Sequence, residues 1–193
     1  MRDAFSKALV HLAVADPKVL LLTGDHGYAL FNEFCKRCPD QYINAGIAEQ
    51  NMVGMAAGLA RVGFRPFVYG LAAFVPIRTI EQIKLDIAHD DLSVVLIGDG
   101  AGFVYSHLGT SHHSTEDIAC TRAIPGLQVL SPADRYEMAA CLDYAYNTRG
   151  PVYLRMGKSN CGDVHPVPIG GLQAARLIKL RDGRSDRPGL IAT

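Results

Sequence analysis

Two spacings of apolar residues alternate along this chain. Phe5, Leu9, Leu12 and Ala13 recur at helical intervals and predict a helix over Arg2 to Asp16. Val19-Leu20-Leu21-Leu22 follows as a short unbroken apolar run, the pattern of a strand covered on both faces. Thr23-Gly24-Asp25-His26-Gly27 breaks it. The alternation continues with a helix over Tyr28 to Arg37 stopped by Pro39, a short strand at Tyr42-Ile43, and a helix led by Glu49. A strand is predicted over Arg65 to Tyr69, a helix over Ile77 to His89, and strands at Leu92 to Ile97 and Leu127 to Leu130. The last predicted helix spans Pro132 to Tyr146, with Ser131 as its cap and Pro132 at its first position. Pro151 to Arg155 closes the series as a strand.

Strands that alternate with helices pair in parallel through right-handed crossovers. The expected fold class is therefore α/β: an open, mostly parallel sheet with helices on both faces. Such sheets bind ligands beyond the carboxyl ends of their strands. The loops to watch are Gly24 to Gly27, Tyr69 to Phe74, and Gly98 to His113. The basic tail changes character, with a strand expected at Leu177-Ile178 and the start of another at Leu190-Ile191-Ala192-Thr193. The reading divides the chain into a domain over residues 1–160 and a linker with the start of a further domain over 161–193.

Charge and cysteines narrow the class. Lysine plus arginine balance aspartate plus glutamate, 19 against 19, so no global field draws the chain to nucleic acid or an anionic membrane. No apolar run approaches the roughly 20 residues that span a bilayer. Five scattered cysteines are no disulfide framework, which points to a reducing, cytoplasmic home. Cys35-Lys36-Arg37-Cys38 lacks the second pair of a zinc site and is read as the end of a surface helix. No metal site is assigned to this chain.

Glu49 stands out chemically. It opens a helix whose body, Met52 to Ala60, is apolar on nearly every side and is expected to be buried. A carboxylate led into such surroundings is poorly solvated and suited to sharing a proton with a ligand nitrogen. Gly98-Asp99-Gly100 is read as a strand-ending turn, because one aspartate does not supply the near-octahedral oxygen set that Mg²⁺ requires. Ser106 to Ser114 forms a glycine-containing loop with three histidines, groups that donate, accept or carry charge near neutral pH.

Six segments in order resemble the pyrimidine-binding domain of the transketolase family. They are Gly46-Ile47-Ala48-Glu49-Gln50, Gly63-Phe64-Arg65-Pro66-Phe67, Gly109-Thr110-Ser111-His112-His113, Glu116-Asp117-Ile118-Ala119, Arg122-Ala123-Ile124-Pro125-Gly126 and Ser131-Pro132-Ala133-Asp134. The resemblance runs from about residue 2 to residue 160. It is nearest to the second half of split transketolases, whose two halves are separate polypeptides.

The resemblance implies a set of roles. Glu49 would hydrogen-bond the pyrimidine ring of thiamin diphosphate and favour the tautomer that activates the cofactor. Phe74 aligns with an aromatic that stacks on that ring, and Leu71 and Ile77 stand where classical transketolases carry two further aromatics. His112 matches a histidine that contacts substrate oxygen, with His107 and His113 beside it. Asp25 and His26 fall in the loop near thiazolium and substrate. Arg155 and Lys158 fall where related enzymes bind substrate phosphate. The diphosphate and Mg²⁺ belong to a partner chain, so an obligate diphosphate-binding subunit and an α₂β₂ assembly are expected. Leu108 replaces the family aspartate that reads the donor's hydroxyl configuration, which leaves open a sugar-phosphate or a 2-oxoacid substrate and a carrier-protein acceptor. Two other readings stand beside the two-carbon transferase: a β subunit of a 2-oxoacid dehydrogenase-like complex, and a non-catalytic scaffold partner.

Overall fold

Even and odd residues of the central strands part company, and that parity builds the molecule. Val19, Leu21, Phe67, Tyr69, Val95, Ile97, Val152 and Leu154 pack into one core; Leu20, Leu22, Val68, Leu96 and Tyr153 pack into the other. Side chains alternate across a pleated strand, so both faces of the sheet are buried. The computed structural model describes residues 1–157, 162–172 and 178–180.

The strands are β1 (Val19–Thr23), β2 (Tyr42–Asn44), β3 (Arg65–Leu71), β4 (Val95–Asp99), β5 (Gln128–Leu130) and β6 (Val152–Met156). They form a six-stranded sheet in the order β2-β1-β3-β4-β6-β5, with every pairing parallel. The helices are α1 (Arg2–Ala15), α2 (Asn32–Arg37), α3 (Glu49–Arg61), α4 (Val75–Arg78), α5 (Ile80–Gln82), α6 (Asp117–Thr121) and α7 (Arg135–Asn147). Helices α1 and α7 cover the face that carries Leu21, Phe67, Ile97 and Leu154, and α3 with the segment after α5 covers the other. The expected α/β class and the helices on both faces hold. The chain reverses direction across the sheet between β1 and β3, so the loops after these strands and after β4 share one rim.

Several boundaries differ from the sequence reading. The helix expected from Tyr28 begins only at Asn32, because Asp25, Gly27 and Ala29 all take positive φ and turn the backbone. The helix expected over Ile77 to His89 is broken. Helix α4 ends at Arg78, where the Thr79 hydroxyl donates to the Val75 carbonyl, and Ile83–Ala88 winds as a π-helix after α5. Ser131 and Pro132 do not start α7. Asp134 does, accepting from the backbone N–H groups of Tyr136 at 2.9 Å and Glu137 at 2.8 Å. Glu137 accepts from the Ala133 N–H at 2.7 Å, one residue before the cap, and this second side-chain bond favours the later start.

The helix led by Glu49 buries one stripe and not its whole surface. Glu49, Met52, Val53, Ala56 and Ala57 face the core, while Gly54 and Met55 are half-exposed and Gly58 is exposed. Its exposed positions are Gln50, Asn51, Gly58 and Arg61, while Met55, Leu59 and Ala60 pack in part against the core, so little apolar surface is left outside. Strand β4 runs through Gly98 and Asp99, and the turn falls at Gly100 with φ 74. A Cβ on Gly98 would collide with the Tyr153 hydroxyl, so the strand requires glycine there. Lys158, Leu177 and Leu190–Thr193, which bear one expected ligand and parts of two expected strands, lie outside the described residues.

Candidate functional site

Glu49 is 3% exposed at the first position of α3, whose capping residue Ala48 offers no side-chain acceptor. The positive end of the helix therefore favours the Glu49 carboxylate directly. Arg78 donates from Nη1 to Glu49 Oε2 at 2.9 Å. Glu49 Oε1 is buried with no hydrogen-bond partner. A buried acceptor without a donor is costly in a folded protein and marks a place where a ligand group fits.

Phe74 gathers the surroundings of that carboxylate. The Arg78 guanidinium lies over its ring, 4.3 Å from the centroid. The His112 ring meets Phe74 edge-on at 5.2 Å, and the His26 ring approaches it at 6.0 Å. Three loops thus converge: His26 after β1, Phe74 after β3, and His112 in the excursion after β4. Glu49, after β2, joins them through Arg78. Burial pushes the His26 imidazole below its ordinary value, against the opposing pull of Glu49, Asp25 and Asp99.

The histidine loop is closed at its base by a two-way backbone bridge between Gly102 and Ser114. Tyr105 ties it down by donating to Asp99 Oδ2 at 3.3 Å. The same oxygen accepts from Tyr69 at 2.9 Å and faces Arg2 Nε at 3.6 Å. Burial, then the neighbouring Asp99 charge, pushes the Tyr69 phenol up. Asp99 Oδ2 is therefore committed inside the fold while Oδ1 is buried without a partner, and one carboxylate does not supply the oxygen set of a metal-bound diphosphate. Among the described residues no three His, Cys, Asp or Glu side chains gather as a metal site.

The other predicted residues divide. Leu71 is buried at the end of β3 and Ile77 is half-buried in α4. Asp25 is exposed in a left-handed turn with φ 62, beside His26. His113 turns toward Phe103, at 5.0 Å between rings, and toward the Ser106 carbonyl at 3.3 Å. His107 is exposed on the same loop. Arg155 donates from Nε to Asp117 Oδ2 at 2.8 Å, an oxygen that also accepts from Tyr153 at 2.7 Å. Burial and the Asp117 charge push the Tyr153 phenol well up.

Sequence reasoning missed Arg78, Asp99 and Asp117. Arg78 had a local signal, because it follows Phe74 by four residues at the spacing that brings helical side chains together. Asp99 and Asp117 stood in short motifs, but their bonds had no local signal, since their partners Tyr69 and Tyr153 lie 30 and 36 residues away.

The site lies on a chain with clear relatives. The model of the transketolase pyrimidine-binding domain matches residues 1–163. An apulose-4-phosphate transketolase subunit from Phocaeicola vulgatus is 36% identical over 165 residues, covering 85% of this chain and 53% of that protein. The 6-deoxy-6-sulfo-D-fructose transketolase subunit SqwH of a Clostridium species is 33% identical over 157 residues, covering 81% and 49%. A solved split-gene transketolase, described as an inactive β4 tetramer, superposes with a TM-score of 0.84 at 37% identity, over 94% of this chain and 59% of that one. The chain spans about half the length of the curated relatives it matches.

Proposed function

The chain belongs to the transketolase family through its pyrimidine-binding domain, and from that premise we propose that it is the cofactor-activating half of a split transketolase-like transferase. The observation that carries this reading is the buried, partnerless Oε1 of Glu49, whose other oxygen holds the Arg78 guanidinium that lies over the Phe74 ring. Bound thiamin diphosphate would supply a nucleophilic carbon for two-carbon ketol transfer. The residues here fit its aminopyrimidine. Glu49 offers a water-shielded acceptor that shares a proton with a ring nitrogen. Phe74 offers a stacking face, with Leu71 and Ile77 as apolar wall. His26, whose imidazole burial pushes below its ordinary value, and His112 both approach the Phe74 ring, placed to donate to or accept from a substrate oxygen.

The diphosphate and Mg²⁺ fall to a diphosphate-binding partner chain in this proposal, with an α₂β₂ assembly and a cytoplasmic setting. Support comes from Asp99, a single carboxylate whose Oδ2 its tyrosines occupy, and from the rim of the sheet. Tyr28, Ile47, Phe103 and Leu108 are exposed large apolar residues on the loops after β1, β2 and β4. Apolar side chains grouped around a site favour a covering partner. The substrate class is a sugar phosphate or a 2-oxoacid, and Leu108 supports a donor that is read without a carboxylate at that position. Asp25, His107, His113, Arg155 and Lys158 are proposed to border it.

Reconstitution with the partner chain and product analysis test the reading. Ketol transfer without CO₂ supports the transferase, whereas stoichiometric CO₂ release supports the 2-oxoacid dehydrogenase-like alternative. Glu49→Ala should lower the turnover of the complex at least about 100-fold. Unchanged turnover would leave only the scaffold role.

A further inference from the structure

Arg78 is positioned by three observations at once. Its guanidinium donates to Glu49 Oε2 at 2.9 Å, lies 4.3 Å over the Phe74 ring centroid, and belongs to a side chain that keeps 47% of its surface exposed. Glu49, by contrast, is nearly sealed, and an ionised carboxylate that deep requires a countercharge. Arg78 supplies it. A guanidinium is planar, delocalised and rich in N–H donors, and it stacks on aromatic faces.

An aminopyrimidine ring asks for the same face of Phe74 and for the same carboxylate, whose Oε1 stands without a partner beside the oxygen that Arg78 holds. Two planar groups do not share one ring face. Resting on the proposed cofactor site, we infer that Arg78 is a placeholder that occupies the pyrimidine position when the cofactor is away and swings into solvent when it binds. The exposed half of its side chain gives it somewhere to go. The device keeps Glu49 charge-paired in the empty protein. It also sets a threshold for entry, because a ligand displaces Arg78 only by matching both its stacking and its hydrogen bond. Arg78 is in this account a positioning and specificity residue, not a catalytic one. Whatever favours the empty state weakens ligand binding by the same factor, so removing the placeholder tightens binding.

The test is calorimetric titration of thiamin diphosphate with Mg²⁺ into the complex of this chain with its diphosphate-binding partner. Arg78→Met keeps the apolar stem, and Arg78→Lys keeps the charge but not the plane. Arg78→Met should bind about tenfold more tightly, while its cofactor-free complex melts at a lower temperature than wild type. Arg78→Lys should fall between the two in affinity. In a Glu49→Gln background the gain from Arg78→Met should shrink to less than about twofold, since the two residues act as one pair. If wild type binds and both Arg78 variants bind equally or more weakly, the placeholder is overturned and the proposed cofactor site stands. If wild type does not bind at all, the cofactor site itself fails and the placeholder with it.

Discussion

The His112 ring meets the Phe74 ring edge to face at 5.2 Å, which joins the histidine loop after β4 to the turn after β3. An aromatic pair of this kind contributes about 0.5–1.5 kcal/mol beyond its burial. Phe74→Leu keeps most of the apolar volume and removes the ring. It should weaken thiamin diphosphate binding by the reconstituted complex about threefold to tenfold. It should also shift the imidazole proton resonances of His112 in the free chain. Unmoved resonances with unchanged affinity would show that the two loops are not coupled through Phe74.

Asp99 gathers Tyr69, Tyr105 and Arg2 around one carboxylate oxygen at the carboxyl end of β4. Asp99→Ala leaves the buried Tyr69 hydroxyl without its acceptor and the Arg2 guanidinium without its countercharge. Stranded partners of a buried charge cost about 3–5 kcal/mol. Urea unfolding should register a loss of at least about 2 kcal/mol. A loss below about 0.5 kcal/mol would mean the cluster is solvated in solution.

Asp134 gives a pH signature with a definite sign. Burial pushes its carboxyl up, but the Glu137 and His165 backbone donors and the His165 ring outweigh that and hold it at about 2, against an ordinary 3.8. The unfolded chain binds the proton more readily, so the stabilisation is fully present above the ordinary value and is lost as pH falls toward 2. Its size at neutral pH is about 2 kcal/mol. Asp134→Asn should be less stable than wild type at pH 7 by about this amount, with the gap closing between about pH 4 and pH 2. A gap that does not narrow on acidification would assign the effect to packing.

Gly98 is fixed by its neighbours. Gly98→Ala sets a methyl group against the Tyr153 hydroxyl and the backbone of Ala72. Since Tyr153 is tied to Asp117 at 2.7 Å, its ring has little room to yield. Overpacking of this kind costs about 1–3 kcal/mol, and thermal unfolding would register it as a lowered midpoint.

The sheet was legible because its strands carry dense apolar runs: Val19 to Leu22 and Val95 to Ile97 are buried on both faces and need no partner information to be recognised. Helix ends were less legible. Positive φ at Ala29 has no clear sequence mark, and Asp134 competes with Ser131 through a backbone geometry that composition does not show. Glu49 was legible from its place at the head of an apolar helix and Phe74 from a family pattern, and the structure joins them through Arg78. That joint escaped notice because the broken helix over Ile77 to His89 hides the turn that presents Arg78. Asp117 was visible only as part of a motif, and its bonds to Tyr153 and Arg155 depend on the β6 register.

The central claim is that Glu49 completes a cofactor site shared with another polypeptide. The direct measurement is equilibrium titration of thiamin diphosphate and Mg²⁺ into this chain, into its partner, and into their mixture, each repeated with Glu49→Ala. The account predicts tight binding in the mixture alone and its loss in the variant. Tight binding by this chain without a partner, or binding in the mixture that ignores Glu49→Ala, would contradict it.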